Sequence, residues 1–241
     1  MVVEAIALSP ILAHRMRLLL LSSSVVHGYG FLERFDAEIR AHLADVDTIA
    51  FVPFSQHDHA GYTARVRKRF AEINIGVEQV HGPKEIESAA AIFIGGGNSF
   101  RLLKELYDRA LLDPIRARIR GGVPYLGSSA GTNVATPSIR TTNDMPIVFP
   151  PSFDALGVFP YQINPHYLDA DPTSTHKGET REERIREFHE ENDTPVIGLR
   201  EASALSVSAD RITLLGDLTA RLFRRGVEPI ELEPGEILEG A

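Results

Sequence analysis

The apolar run Val123-Pro124-Tyr125-Leu126 leads directly into Gly127-Ser128-Ser129-Ala130-Gly131, a Gly-x-Ser-x-Gly pentapeptide. A strand that turns sharply into a helix forces the central residue into a strained backbone, so its neighbours must be small. The turn would lift Ser129 Oγ above a sheet edge and aim the first helical amides, that of Ala130 among them, at a developing oxyanion. A second apolar run, Ile92-Phe93-Ile94, ends in Gly95-Gly96-Gly97-Asn98-Ser99. Glycine lets bare backbone approach a ligand, and Asn98 or Ser99 can cap the helix that follows. Neither the dinucleotide fingerprint nor the phosphate-loop pattern is present. Two glycine turns at the carboxyl ends of neighbouring strands define one crevice, where the Gly97 amide can join that of Ala130.

A serine hydroxyl stays protonated at neutral pH and needs a base, most often imidazole. Of nine histidines, His166 in Gln162-Ile163-Asn164-Pro165-His166 is the best placed, in a Pro-rich loop after a short apolar run, and His176 is its local rival. His14, His27, His42, His81 and His189 carry no motif. His57-Asp58-His59 has metal-like spacing, but no further ligand set follows, so a solvated loop is expected and no metal. An imidazole base in turn needs an orienting carboxylate. Asp144, in Thr141-Thr142-Asn143-Asp144-Met145-Pro146, and Glu201, after Ile197-Gly198-Leu199-Arg200, are the candidates. Asp144 has a competing local use, holding its own loop through an Asx-turn.

Composition narrows the chemistry further. The 241 residues contain no Cys. That excludes a thiol nucleophile, a thiolate metal site and a disulfide framework. The formal charge is −8, and residues 1–120 hold 15 basic and 14 acidic side chains, so the acidic excess lies in the second half. Without a basic stripe there is no electrostatic footprint for nucleic acid. Leu18–Leu21 follows Arg15 and Arg17 but ends after four residues at Ser22-Ser23-Ser24, too short for a signal sequence or a membrane span. A cytoplasmic protein is expected.

The elements that must position these residues alternate. Leu18–Leu21, Ile49–Phe54, Ala91–Ile94 and Val123–Leu126 read as strands buried on both faces. Phe31–Leu43, Tyr62–Ile73 and Phe100–Leu111 carry apolar residues every three to four positions and read as helices. This alternation predicts an α/β fold, a mostly parallel sheet with helices on both faces. From about Thr136 to Thr175, prolines argue against regular helix or central strand, and a long functional loop is expected. A polar helix, Thr180–Glu190, follows, then short β segments at Val196–Leu199, Ala204–Val207, Ile212–Leu215 and Ala220–Phe223. Residues 1–15 read as an appendage, with Met16 as an alternative start, and residues 16–241 as one catalytic domain.

In these segments the chain resembles the peptidase E family, cytoplasmic α-aspartyl dipeptidases of the serine type with a flavodoxin-like, class I glutamine-amidotransferase-like fold. The resemblance is carried by Gly95–Phe100, Tyr125–Gly131, Ser138–Val148, Phe153–Leu156, Gln162–His166 and His176–Ile185, in order and at similar spacing. It implies Ser129 as nucleophile, His166 as base, Gly97 and Ala130 as oxyanion amides, and Glu201 in preference to Asp144 as the orienting acid. It also implies Asp-X dipeptides as substrates, no cofactor, and a cation for the aspartyl side chain. Arg181 is the choice for that cation, since a guanidinium grips a carboxylate through two parallel hydrogen bonds; Asn98 is the second expected substrate contact. The chain departs from the family at Ser128, where a bulky aromatic is expected, and in the loop Ser55–Ala60. Alternatives are a cyanophycinase-like β-aspartyl peptidase, an α/β-hydrolase with the order Ser129, Asp144, His166, and a non-catalytic binding module. Oligomeric state is left open.

Overall fold

Leu18, Leu20, Val52, Ile92 and Ile94 face one side of a central sheet, and Leu19, Leu21, Ile49, Phe51 and Phe93 face the other. Strand side chains alternate between faces, so a run apolar at every position must be covered on both. The computed structural model describes residues 16–171, 173, 175, 178–208 and 211–239. The expected appendage 1–15, with His14, and the rival base His176 lie outside the described residues.

The strands are β1 (Arg17–Leu21), β2 (Thr48–Val52), β3 (Gly76–Gln79), β4 (Ile92–Ile94), β5 (Tyr125–Ser128), β6 (Gln162–Tyr167), β7 (Val196–Arg200), β8 (Ala204–Ser208), β9 (Arg211–Leu215), β10 (Ala220–Arg224), β11 (Val227–Leu232) and β12 (Gly235–Glu239). The helices are α1 (Asp36–His42), α2 (His59–Ala71), α3 (Pro83–Glu87), α4 (Ser99–Asp108), α5 (Leu112–Arg120), α6 (Ala130–Ala135) and α7 (Arg181–Glu191). The large sheet runs β12-β9-β8-β1-β5-β4-β2-β3. From β1 to β3 all neighbours are parallel, and β8, β9 and β12 extend the sheet antiparallel. A second sheet, β11-β10-β7-β6, is separate from it.

Helices α1 and α2 cover one face of the large sheet through Ile39, Tyr62, Val66 and Phe70, with Phe35 just before α1 in the same core. On the other face α4 and α5 pack through Leu102, Leu103, Leu106, Ile115 and Ile119, in one core with Ile163, Ile197, Leu199 and Leu222 of the second sheet. The far face of the second sheet packs α7, with Ile185 against Tyr167, Val196 and Phe223. No helix among the described residues is long and apolar enough to cross a membrane.

Two expectations are corrected. The stripe over Phe31–Leu43 is helical only from Asp36; Leu32 adopts a left-handed backbone (φ 59°) and a 3₁₀ turn spans Glu33–Phe35. The Pro-rich region contains a strand, β6, that passes through Pro165. Proline cannot donate to a ladder, and β6 is the edge strand of its sheet, where a missing N–H is tolerated. Strands β3, β11 and β12 and helices α3 and α5 were not anticipated from the pattern.

Candidate active site

Ser129 sits between β5 and α6 with φ 52° and ψ −107°, a conformation side chains rarely occupy and one that persists only when its surroundings impose it. The surroundings do so sterically. A Cβ on Gly131 would lie 2.0 Å from the Ile94 carbonyl oxygen, so only glycine lets α6 sit this close to β4. Ser129 N–H donates to Leu21 O at 3.0 Å, and Thr132 Oγ1 donates to the same carbonyl at 2.6 Å. The elbow is thereby fastened to the end of β1.

Ser129 Oγ lies 2.8 Å from His166 Nε2, and His166 Nδ1 lies 2.8 Å from Glu201 Oε1. With a carboxylate on Nδ1, that nitrogen carries the proton and Nε2 is left to accept from the serine hydroxyl. The imidazole reaches Ser129 because of a bulge. Pro165 pairs with Leu199 and Tyr167 with Arg200, so His166 is an extra residue in β6, at φ 54°. Bulges re-aim side chains next to active sites. Ser22 completes the join: its Oγ accepts from His166 N–H at 2.9 Å and donates to Leu199 O at 2.8 Å. Residue-type reasoning missed Ser22, although its place just past the apolar run of a central strand puts it at the crevice. Glu201 follows β7 directly, on a turn closed by Ser203 N–H to Arg200 O.

Gly97 has φ +150°, and a Cβ there would meet Ser55 O at 2.4 Å. The loop Ser55–Ala60 holds this turn: Ser55 Oγ and Gln56 Nε2 both donate to Gly96 O, and Asn98 N–H donates to Ser55 O. Gly96 lies against Ser129, since a Cβ there would come 3.1 Å from Ser129 Cβ. The amides of Gly97 and Ala130 donate to no acceptor among the described residues. Ser128 is fully buried, so it does not form a pocket wall.

Asp144 and Asn98 make the local hydrogen bonds that the sequence offered as the alternative to a role in the site. Asp144 Oδ2 accepts from Ser99 N–H at 2.7 Å and from Thr142 Oγ1 at 3.1 Å, capping α4 rather than orienting His166. Asn98 Oδ1 accepts from Arg101 N–H and its Nδ2 donates to Met145 O, so both ends of its amide hold the turn. Asp58 caps α2 by accepting from Gly61 N–H, and His59 packs edge-on to Phe54 at 5.2 Å. Among the described residues no cluster of three or more potential metal ligands occurs.

Arg181 opens α7 behind the Thr180–Glu183 capping box. Its neighbouring carboxylates are engaged elsewhere: Glu179 with Arg184, Glu182 with Arg186 and Arg221, and Glu183 with Thr180. Burial, with Arg184 nearby, holds the Arg181 guanidinium below its ordinary pKa, still far above neutrality. It is a half-buried cation without a carboxylate partner among the described residues.

The model of peptidase family S51 matches residues 18–215. A Streptomyces coelicolor protein named "Peptidase E" is 56% identical over 227 residues, covering 92% of this chain and 93% of that protein. A Drosophila melanogaster protein named "Probable alpha-aspartyl dipeptidase" is 50% identical over 230 residues, covering 92% and 96%. A solved peptidase from an acI-B1 actinobacterium shares the fold at TM-score 0.68 and 18% identity, over 94% of this chain and 98% of that one.

Proposed function

The chain belongs to peptidase family S51, and from that premise we propose that it hydrolyses dipeptides with an N-terminal aspartate by acyl transfer through Ser129. It is a serine-type dipeptidase. The observation that carries the mechanism is the unbroken hydrogen-bonded relay from Ser129 through His166 to Glu201.

His166 Nε2 takes the hydroxyl proton as Ser129 Oγ attacks the scissile carbonyl carbon. The carbonyl oxygen becomes an oxyanion, facing the amides of Gly97 and Ala130. The C–N bond breaks as His166 passes its proton to the departing amino acid, leaving an aspartyl ester on Ser129. Water then loses a proton to His166 and attacks the ester, and Ser129 Oγ leaves and recovers that proton. Glu201 holds the imidazole in the tautomer that accepts from serine and stabilises the imidazolium that forms.

The Asp-X preference is supported by the names of the relatives and by Arg181, a half-buried cation with no carboxylate partner among the described residues. A dipeptide panel tests it. Asp-Leu is expected to be cleaved well, with Asn-Leu slower by at least about 10²-fold because it leaves the Arg181 cation without a carboxylate, and with Glu-Leu and N-blocked Asp-Leu slower because their carboxylate or amino end no longer fits the same register. Arg181→Met should remove most of the preference for Asp-Leu over Asn-Leu. Equal rates on Glu-Leu contradict the specificity, and faster cleavage of a β-linked Asp-Arg dipeptide would transfer the enzyme to the β-aspartyl class.

A further inference from the structure

We propose that Arg200 is a positioning residue for the acid–base half of the site, locking the Glu201–His166 hydrogen bond by bridging the two strand ends that carry these side chains. The proposal rests on the relay read above.

Strands β6 and β7 leave their sheet side by side, after the pairing of Tyr167 with Arg200. One chain continues from His166 and Tyr167 to Asp169, and the other from Arg200 to Glu201. Arg200 Nε donates to Asp169 Oδ2 and Nη2 to Asp169 Oδ1, both at 2.8 Å, a parallel fork across the gap. Nη1 donates to Thr219 O at 2.8 Å, to Thr219 Oγ1 at 2.7 Å and to Glu231 Oε2 at 2.8 Å. The guanidinium also stands 5.6 Å from the centre of the Tyr167 ring. That ring lies against Gly198, where a Cβ would approach it to 2.7 Å. Arg200 therefore ties the segment after His166, the segment before Glu201, the residue that leads into β10 and strand β11 into one body.

Glu201 needs such an anchor. Its side chain is 57% exposed and that of His166 36%, and an ion pair in that setting does little to hold two side chains in one geometry. Arg200 itself is 15% exposed, while Asp169 and Glu231 are half-exposed. The shared guanidinium holds both carboxyls below the ordinary carboxylate range. Arg221 stands farther off, 3.8 Å from Asp169 Oδ1 and 3.7 Å from Glu231 Oε1, whereas Arg200 grips both carboxylates through a planar fork whose defined orientation a lysine ammonium cannot reproduce. The precision of the exposed pair is thus set from the better-buried side of the strand ends.

The test uses the full-length enzyme with Asp-Leu and compares Arg200→Lys and Asp169→Asn in two backgrounds, wild type and Glu201→Gln. In wild type each is expected to lower kcat about tenfold with KM changed less than about twofold, because substrate contacts are untouched. In the Glu201→Gln background the same substitutions should change kcat less than about twofold, since they act through a group already removed. Half-exposed Asp169 supplies the readout should Arg200→Lys fail to fold. Wild-type kcat in Asp169→Asn, or an equal loss in both backgrounds, overturns the proposal. If Glu201→Gln alone leaves kcat unchanged, the relay reading fails and the positioning role falls with it.

Discussion

Ser129 and His166, the nucleophile and base of the proposed mechanism, are carried by two sheets held together by different physics. Around Ser129 the large sheet is apolar and closed: Leu18 to Leu21, Phe93 and Leu126 are almost wholly buried, and the elbow is set by glycines that admit backbone against backbone. Around His166 and Glu201 the second sheet is polar and half-open, and the geometry there depends on a bulge, the Ser22 hydroxyl and the Arg200 ion-pair network. A strained serine can be held by close packing, because its geometry is a property of the main chain. A base that must gain and lose a proton needs polar neighbours and water within reach. The two halves should therefore break in different ways.

The largest effect is expected from one added methyl group in the nucleophile half. Gly131→Ala places a Cβ 2.0 Å from Ile94 O, and neither backbone can yield without moving α6. Stability should fall by about 3 kcal/mol or more, the upper range for overpacking. Turnover should drop beyond about 10³-fold, since small displacements of a reacting atom already cost two decades. A thermal melt and kcat on Asp-Leu check both numbers, and near-wild-type values would remove the steric account of the elbow.

In the acid–base half, side-chain polarity is the sensitive variable. Glu201→Gln should lower kcat about 10- to 10²-fold, less than the roughly 10⁴ known for a buried triad carboxylate, because Glu201 is 57% exposed and water can partly replace it. Asp144→Asn retains an acceptor for Ser99 N–H and should stay within about threefold of wild type, as caps tolerate Asp-to-Asn exchange. The reverse ranking would make Asp144 the orienting acid.

The last effect concerns stability alone and belongs again to the Ser129 half. His42 Nε2–H donates to Tyr125 O at 3.1 Å behind the strand that ends in the elbow. Burial, with Arg17 beside it, lowers its pKa to about 4. The unfolded chain, near 6.5, binds more protons, so stability is lost as pH falls from about 6.5 towards about 4. Between pH 7 and 5 this amounts to about 2 kcal/mol. His42→Gln, measured by denaturant unfolding at both pH values, should show a pH dependence shallower by that amount, and an unchanged slope would contradict the assignment.

The same division governs what could be read from the residues alone. The apolar runs before Gly95 and Gly127 state a strand, a turn and a buried environment together, so the Ser129 half was legible. Proline at 165 argued against a strand, and only the edge position of β6, a property of tertiary pairing, makes it acceptable. Histidine 166 and Glu201 are 35 residues apart. What joins them is a bulge and a set of long-range ion pairs, neither of which has a local pattern; the family resemblance supplied the pair. Asp144 and Asn98 each carried two readings from the residues, one in the site and one local, and the hydrogen bonds they make are the local ones that cap a helix and tie a turn.

The central claim is that Ser129 is the nucleophile of a serine-type dipeptidase, and one substitution addresses it most directly. Ser129→Ala, assayed on Asp-Leu with an unchanged melting temperature as the folding control, is expected to lose about 10⁴-fold or more in kcat, as removal of a relay nucleophile does elsewhere. It should also lose labelling by a serine-directed fluorophosphonate. Turnover at the wild-type rate by the alanine enzyme would contradict the account.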